Sequence, residues 1–189
     1  MTKQELRKLY KSKRQNISSK DKLKMDDLLL INFQQLSFDG VEVLLTYWPM
    51  AHQAEPNTHL YSSYLRHMIP GLRIAYTITD FKNTSMRAVE IDEDTVYQTN
   101  STGITEPTDG KLVLPEEIDL VFVPFLVCDK HGYRVGYGKG FYDRYLAECR
   151  EDVLKIGFSY FAPVEAIDDV HDFDIPLNFC ITTESVYEF

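Results

Sequence analysis

Basic residues are in short supply in this chain. Twenty lysines and arginines stand against 29 aspartates and glutamates, a formal net charge of −9 over 189 residues. That balance excludes a broad nucleic-acid groove or an anionic membrane surface as partner, because a positive field is what holds either one. Any anionic ligand must be gripped by a local knot of cations. Cysteine is scarce as well. Cys128, Cys149 and Cys180 are too few and too scattered for a disulfide framework or a zinc site. They read as buried or half-buried thiols of a reducing compartment. No apolar run approaches the roughly 20 residues of a membrane span. Met1-Thr2-Lys3-Gln4-Glu5 has none of the apolar run that follows the charged start of a secretory signal. A soluble cytoplasmic protein is expected. The five histidines show no metal-binding pair at the spacing of a zinc protease, and no Ser-His-Asp or Cys-His arrangement is evident.

What is present suits a single domain over 1–189. Hydrophobic residues make up 44% and charged residues 26%, enough apolar surface to build a core without staples. Thr2-x-x-Glu5 is a capping box, and Leu6, Leu9 and Tyr10 follow at helical spacing. A second helix starts near Ser18 and carries Leu28, Leu29 and Phe33. Val41 to Tyr47 reads as a buried strand, and Asn57 as the cap of a helix over 58–68. Arg73 to Thr79 is a further strand. Residues 86–91 and 95–99 alternate around Asp92-Glu93-Asp94 and predict a hairpin. Residues 100–117 read as a long loop, of the kind that is often functional. Leu120 to Val127 is the most apolar run and predicts a central strand. A helix is expected over 141–149, and strands over 154–158 and 180–183. Strands alternating with helices predict an α/β fold with a mostly parallel central sheet, flanking helices and an antiparallel hairpin.

The segment that carries chemistry runs from Asp119 to Arg144. A buried strand leads into the turn Asp129-Lys130-His131-Gly132; then come Arg134, Gly136, Gly138, Lys139, Gly140 and a helix. Glycines at alternate positions leave the backbone bare, so that N–H groups can approach a ligand. The helix start adds partial positive charge, and Arg134 and Lys139 add two full charges. The spacing fits neither the Walker A loop nor the dinucleotide Gly-x-Gly-x-x-Gly. A mobile turn with solvated basic side chains is the alternative; the succession of strand, glycines, basic pair and helix favours an anion cradle. Asp143, in the first turn of the helix, is either a simple dipole contact or a magnesium ligand beside phosphates.

At these residues the chain resembles the 5-formyltetrahydrofolate cyclo-ligase family. The match lies in Pro124-Phe125-Leu126-Val127-Cys128-Asp129 and in the run Gly132-Tyr133-Arg134-Val135-Gly136-Tyr137-Gly138-Lys139-Gly140-Phe141-Tyr142-Asp143. Lys3-x-x-Leu6-Arg7 with Arg14, Glu55 after the first strand, Ile104-Thr105-Glu106-Pro107 and Asp174-Ile175-Pro176-Leu177 extend it along the chain. Phe125 and Cys128 depart from the family's usual Gly and Phe, at a strand end where they could reshape the pocket wall. Phe141 replaces a frequent Tyr.

The resemblance implies a fold related to those of sugar-phosphate isomerases and CoA-transferases. It implies ATP- and Mg²⁺-dependent closure of 5-formyltetrahydrofolate, polyglutamylated or not, to 5,10-methenyltetrahydrofolate, through a phosphorylated formyl group (an iminium phosphate) and with release of ADP and phosphate. Implied for ATP are Lys3, Arg7, Arg14, Arg134, Val135, Gly136, Tyr137, Gly138, Lys139, Gly140, Phe141 and Tyr142. Lys139 and Arg134 carry the catalytic charge. Met50, Glu55, Tyr137, Gly138, Lys139, Gly140 and Phe141 meet the folate. Asp143 and Asp174 hold the metal, with Asp172 the alternative to Asp174. A monomer is expected over an oligomer. An isomerase and a non-catalytic folate-binding module are the competing readings.

Overall fold

The computed structural model describes all 189 residues. Helices α1 (Lys3–Gln15) and α2 (Ser19–Phe33) open the chain, each with the capping that its sequence announces. The Thr2 hydroxyl accepts from the Glu5 amide and the Glu5 carboxylate answers at the Thr2 amide, while Ser18 accepts from Asp21. Strand β1 (Val43–Thr46), helix α3 (Thr58–Met68), strands β2 (Arg73–Asp80) and β3 (Ser85–Glu90) follow. Then come the short strands β4 (Tyr97–Thr99), β5 (Thr105–Pro107), β6 (Lys111–Val113), β7 (Leu120–Phe122), β8 (Val127–Cys128) and β9 (Arg134–Val135). Helix α4 (Phe141–Leu146) and strands β10 (Leu154–Phe158), β11 (Phe179–Ile181) and β12 (Val186–Glu188) complete the chain. No helix is long and apolar enough to cross a membrane.

Eight strands form one sheet in the order β12-β11-β10-β7-β1-β2-β3-β6. The five strands from β11 to β2 are parallel, and β12, β3 and β6 add antiparallel edges. Both faces of the parallel strands are covered, which is why these segments read as continuous apolar runs. On one face Leu44, Ile74, Tyr76, Leu120, Phe122, Ile156 and Phe158 meet α2 and α3. Phe33 of α2 is their hub, with Tyr61, Phe122 and Phe158 ring centroids within 6.0 Å. Truncating such a residue costs about 3–5 kcal/mol. On the other face Val43, Leu45, Ala75, Val121 and Cys180 pack with Tyr145 and Leu146 of α4.

The predicted hairpin over 86–91 and 95–99 does not form. β3 turns back on β2 through residues 81–84 instead, and its second partner is β6, from the stretch predicted to be loop. β4 pairs with β5, also from that stretch. The apolar run after Asp119 is broken at Val123-Pro124-Phe125 into β7 and the β8–β9 hairpin, and α4 ends at Leu146 rather than Cys149. Phe125 and Cys128, the two departures at the strand end, place their side chains in the core. A Cβ on Gly157 would lie 2.2 Å from the Phe125 ring. Glycine at 157 makes the room that phenylalanine at 125 fills.

Candidate active site

Three segments converge beyond the C-terminal ends of β1 and β7. The first is α1, which lays Leu6 and Tyr10 on Leu126, Val127 and Val135 of the β8–β9 hairpin. That packing turns Arg7 and Arg14 toward the glycine-rich loop, while Lys3 reaches Asp174 instead. Arg7 donates from Nε to the Gly136 carbonyl at 2.9 Å, and its guanidinium lies 3.3 Å from where a Gly138 Cβ would be. Arg14 is 1% exposed; it donates to the Phe125 carbonyl and, at 3.2 Å, to the Tyr137 hydroxyl, while its Nε has no partner.

The second segment is the loop from Gly136 to Gly140. None of its five main-chain amides donates to an acceptor in the protein. Gly138 and Gly140 sit at φ of +91° and +69°, a conformation that side chains resist. Successive free amides in such a turn form an anion-binding concavity. Arg134 and Val135, by contrast, are paired into β9 with β8, so the bare stretch begins at Gly136. With only six residues, α4 adds little dipole, and the positive charge comes chiefly from the amides and side chains. Lys139 is exposed and enters none of the molecule's ion pairs.

The third segment, Met50 to Asn57, buries a carboxylate. Glu55 is 2% exposed. Its Oε1 accepts from the Tyr137 hydroxyl at 2.5 Å and its Oε2 from the Met50 amide at 2.7 Å. Burial pushes its pKa up, and those two donors and the Arg14 charge only partly oppose the shift. Tyr142 feels the same environment: burial first and the Glu55 charge second drive its phenol upward. Behind the loop stands Asp26 of α2, which the sequence reading missed. It accepts from Tyr160 at 2.7 Å, the Asn57 amide at 3.0 Å and the Lys22 ammonium at 2.8 Å. The Tyr160 hydroxyl also reaches the Glu55 carbonyl at 3.3 Å. Asn57 heads α3 without a side-chain capping bond; its amide engages Asp26 instead.

The acids expected to hold a metal come together, each already paired with one of the expected cations. Asp143 Oδ1 accepts from Arg134 at 2.8 Å and from the Ile175 amide at 3.1 Å. Arg134 is buried, also donates to the Ile175 carbonyl, and has its pKa lowered by burial against the pull of Asp143. Asp174 Oδ2 binds the Lys3 ammonium and the His171 amide at 2.6 Å. Burial raises its pKa, and those partners outweigh it, so the net shift is downward. Asp172 is exposed and makes no such contact. Asp143 Oδ2 and Asp174 Oδ1 accept no hydrogen bond. Two free carboxylate oxygens fit Mg²⁺, which takes one or two carboxylates and leaves its other positions to water and phosphate. No cluster of three or more metal-ligating side chains exists.

Glu106 was quoted in the sequence motif without a role. It is buried on β5 and accepts from the amide of Thr79 at 2.9 Å and from the Thr79 hydroxyl, tying the β4–β5 hairpin to β2. Burial raises its pKa against those bonds. Phe141 packs edge-on against Phe81 of the β2–β3 turn, with centroids 5.4 Å apart.

Comparison with known proteins bears on this arrangement. A 5-formyltetrahydrofolate cyclo-ligase of Mycoplasma genitalium is 42% identical over 67 residues, 35% of this chain and 41% of that protein. One from Haemophilus influenzae is 39% identical over 88 residues, 44% and 46% of the two chains. The matched segments thus span less than half the length of these relatives. The NMR structure of Aquifex aeolicus 5,10-methenyltetrahydrofolate synthetase superposes with a TM-score of 0.81 at 28% identity, covering 100% of this chain and 93% of that one. A Mycoplasma pneumoniae 5,10-methenyltetrahydrofolate synthetase shares the fold, with a TM-score of 0.72 at 22% identity, covering 96% of this chain and 98% of that one. The 5-formyltetrahydrofolate cyclo-ligase family profile matches residues 1–178, so the chain belongs to that family.

Proposed function

We propose that this protein is an ATP-dependent cyclo-ligase that converts 5-formyltetrahydrofolate to 5,10-methenyltetrahydrofolate, releasing ADP and phosphate. The observation that carries the reading is the Tyr137–Glu55 hydrogen bond. It joins five unengaged amides, suited to polyphosphate, to a buried carboxylate, suited to the N–H donors of a pterin.

An N-formyl group is a poor electrophile and its oxygen a poor leaving group. In the proposed reaction the formyl oxygen attacks the γ-phosphorus of ATP and ADP departs, leaving an iminium phosphate. The neighbouring arylamine nitrogen then attacks the formyl carbon and loses its proton, and the C–O bond breaks to release phosphate. Positioning and charge neutralisation do most of this work. The amides from Gly136 to Gly140 would hold the phosphates, with Arg7 and Arg14 fixing the loop from α1. Lys139, exposed and unpaired, would meet the transferring phosphoryl group. Glu55, Met50 and Phe141 would hold the folate. Asp143 and Asp174 would hold Mg²⁺ through their free oxygens, and the bound metal supplies charge neutralisation on the phosphates. Arg134, locked to Asp143, would orient that acid.

The test is the appearance of methenyltetrahydrofolate absorbance from 5-formyltetrahydrofolate, with ATP and Mg²⁺ each omitted in turn. Product only when both are present supports the reading. Tight folate binding with no turnover selects a sequestering module instead. Asp174→Asn should raise the Mg²⁺ concentration for half-maximal rate, and Asp172→Asn should leave it unchanged; the reverse would exchange the two residues.

A further inference from the structure

A second concavity lies on the α3 face of the sheet, outside the residues assigned to the candidate active site. It is a groove of about 300 Å³, walled by Trp48, His59, Arg66, Tyr76 and Tyr97 among nine lining residues, none of them acidic. That size is at the lower end for small-molecule sites. In a chain of net charge −9 the composition of the lining is a selective feature.

The groove has a direction. His59, Ser62, Ser63 and Arg66 recur at three- and four-residue steps, so one stripe of α3 forms a wall along its length. Trp48 stands at the end near Thr58, two residues before Met50 and close to the loop that carries Glu55. Arg66 stands at the other end, seven residues along the helix from His59, a rise of about 10 Å. The upper end is aromatic: Trp48 lies 5.0 Å from Tyr97 and 4.6 Å from His59, centroid to centroid, and Tyr97 lies 5.9 Å from Tyr76. Burial lowers the pKa of His59, which favours its neutral ring. The lower end is cationic. Arg66 is exposed and takes part in no ion pair or hydrogen bond, yet its charge is felt at both the Tyr76 and Tyr97 phenols. Asp92, which does not line the groove, opposes Arg66 at the Tyr97 phenol.

A ligand suited to this groove is flat at one end and anionic at the other, with its flat end on the side where the chain continues from Trp48 into Met50 and Glu55. We infer that the groove is a tail subsite, in which the aryl ring of a reduced folate lies against Trp48 and Tyr97 and its glutamyl carboxylate reaches Arg66. This deepens the function proposed above and rests on the assignment of Glu55 to the pterin. A guanidinium–carboxylate contact is directional and strong enough to discriminate substrates by their tails.

Trp48 is the only tryptophan in the chain, so its fluorescence reports on the aromatic end of the groove without interference from another indole. The probe is p-aminobenzoyl-glutamate, with p-aminobenzamide as the ring without carboxylates. Saturable quenching by the first and not the second is expected, with the affinity lowered about tenfold in Arg66→Ala and partly restored in Arg66→Lys. In turnover, the ratio of kcat/KM for 5-formyltetrahydrofolate over 5-formyltetrahydropteroate should fall by a similar factor in Arg66→Ala. An unchanged titration, or an unchanged ratio in an enzyme that turns over normally, overturns the subsite alone. A wild-type protein that turns over neither substrate overturns the function reading, and the subsite falls with it.

Discussion

The glycine-rich loop and the Met50–Asn57 loop lie side by side and are built in opposite ways. Between Gly136 and Gly140 the polar groups that matter are unsatisfied: five amides without acceptors and one lysine without a counter-ion. Glu55 itself is fully engaged, its carboxylate by Tyr137 and Met50 and its carbonyl by Tyr160, which Asp26 holds from behind. An anion cradle gains by keeping its donors unspent until the ligand arrives. A pocket that recognises a heterocycle gains by having its acceptor fixed beforehand. On the proposed function the same chain would meet both needs, because glycine frees one backbone and a buried network freezes the other.

Substitutions can break that contrast. Lys139→Ala should lower turnover by about 10²–10³-fold, the usual cost of removing one transition-state donor. Its melting temperature should match wild type, since the side chain is exposed and enters no ion pair. Undiminished turnover would remove Lys139 from the chemistry. Asp26→Ala attacks the frozen side. It strands the Tyr160 hydroxyl, the Asn57 amide and Lys22, and should cost about 3 kcal/mol in urea unfolding. The KM for folate should rise with it; a loss of stability with no change in KM would show that the network supports the fold and not the pocket. Within the loop, Gly138→Ala should destabilise by about 1–2 kcal/mol, because φ of +91° opposes a Cβ. Gly136→Ala, whose Cβ would meet nothing nearer than 4.0 Å, should leave the melting temperature alone. Equal effects would mean that the loop adapts.

The smallest effect belongs to Glu106. Its folded-state pKa lies above the ordinary 4.5. Between the two values the native state holds more protons than the unfolded chain, so stability is greatest below 4.5 and declines as pH rises through the raised value. Glu106→Gln should flatten the decline. A melting profile parallel to wild type from pH 4 to 7 would place Glu106 outside the titration.

Local rules made much of the fold legible. The capping box at Thr2, the α3 pattern and the strands over 43–46 and 154–158 appear where the sequence places them. Strand partners did not follow from local pattern. Asp92-Glu93-Asp94 looked like a hairpin turn, but β3 pairs through a different turn and with a strand, β6, whose three residues are too short to announce themselves. Of the candidate site, the glycines and their flanking charges were readable because bare backbone and cations leave a sequence signature. Asp26 left none. On a helix an aspartate reads as solvent-facing, and only distant partners, Tyr160 at 134 residues and the Asn57 amide at 31, make it a buried acceptor. Arg134 and Asp143 were readable as charges but not as a pair, since the chain must fold before they meet.

Tyr137 belongs to both neighbourhoods at once. Its main chain sits in the loop assigned to nucleotide, while its phenol sits on the carboxylate assigned to pterin. On that assignment evolution cannot tune the affinity for one substrate at this position without disturbing the other, and an inhibitor that displaces the phenol would compete with both. Escape by mutation at residue 137 would then come at the expense of the enzyme's own turnover.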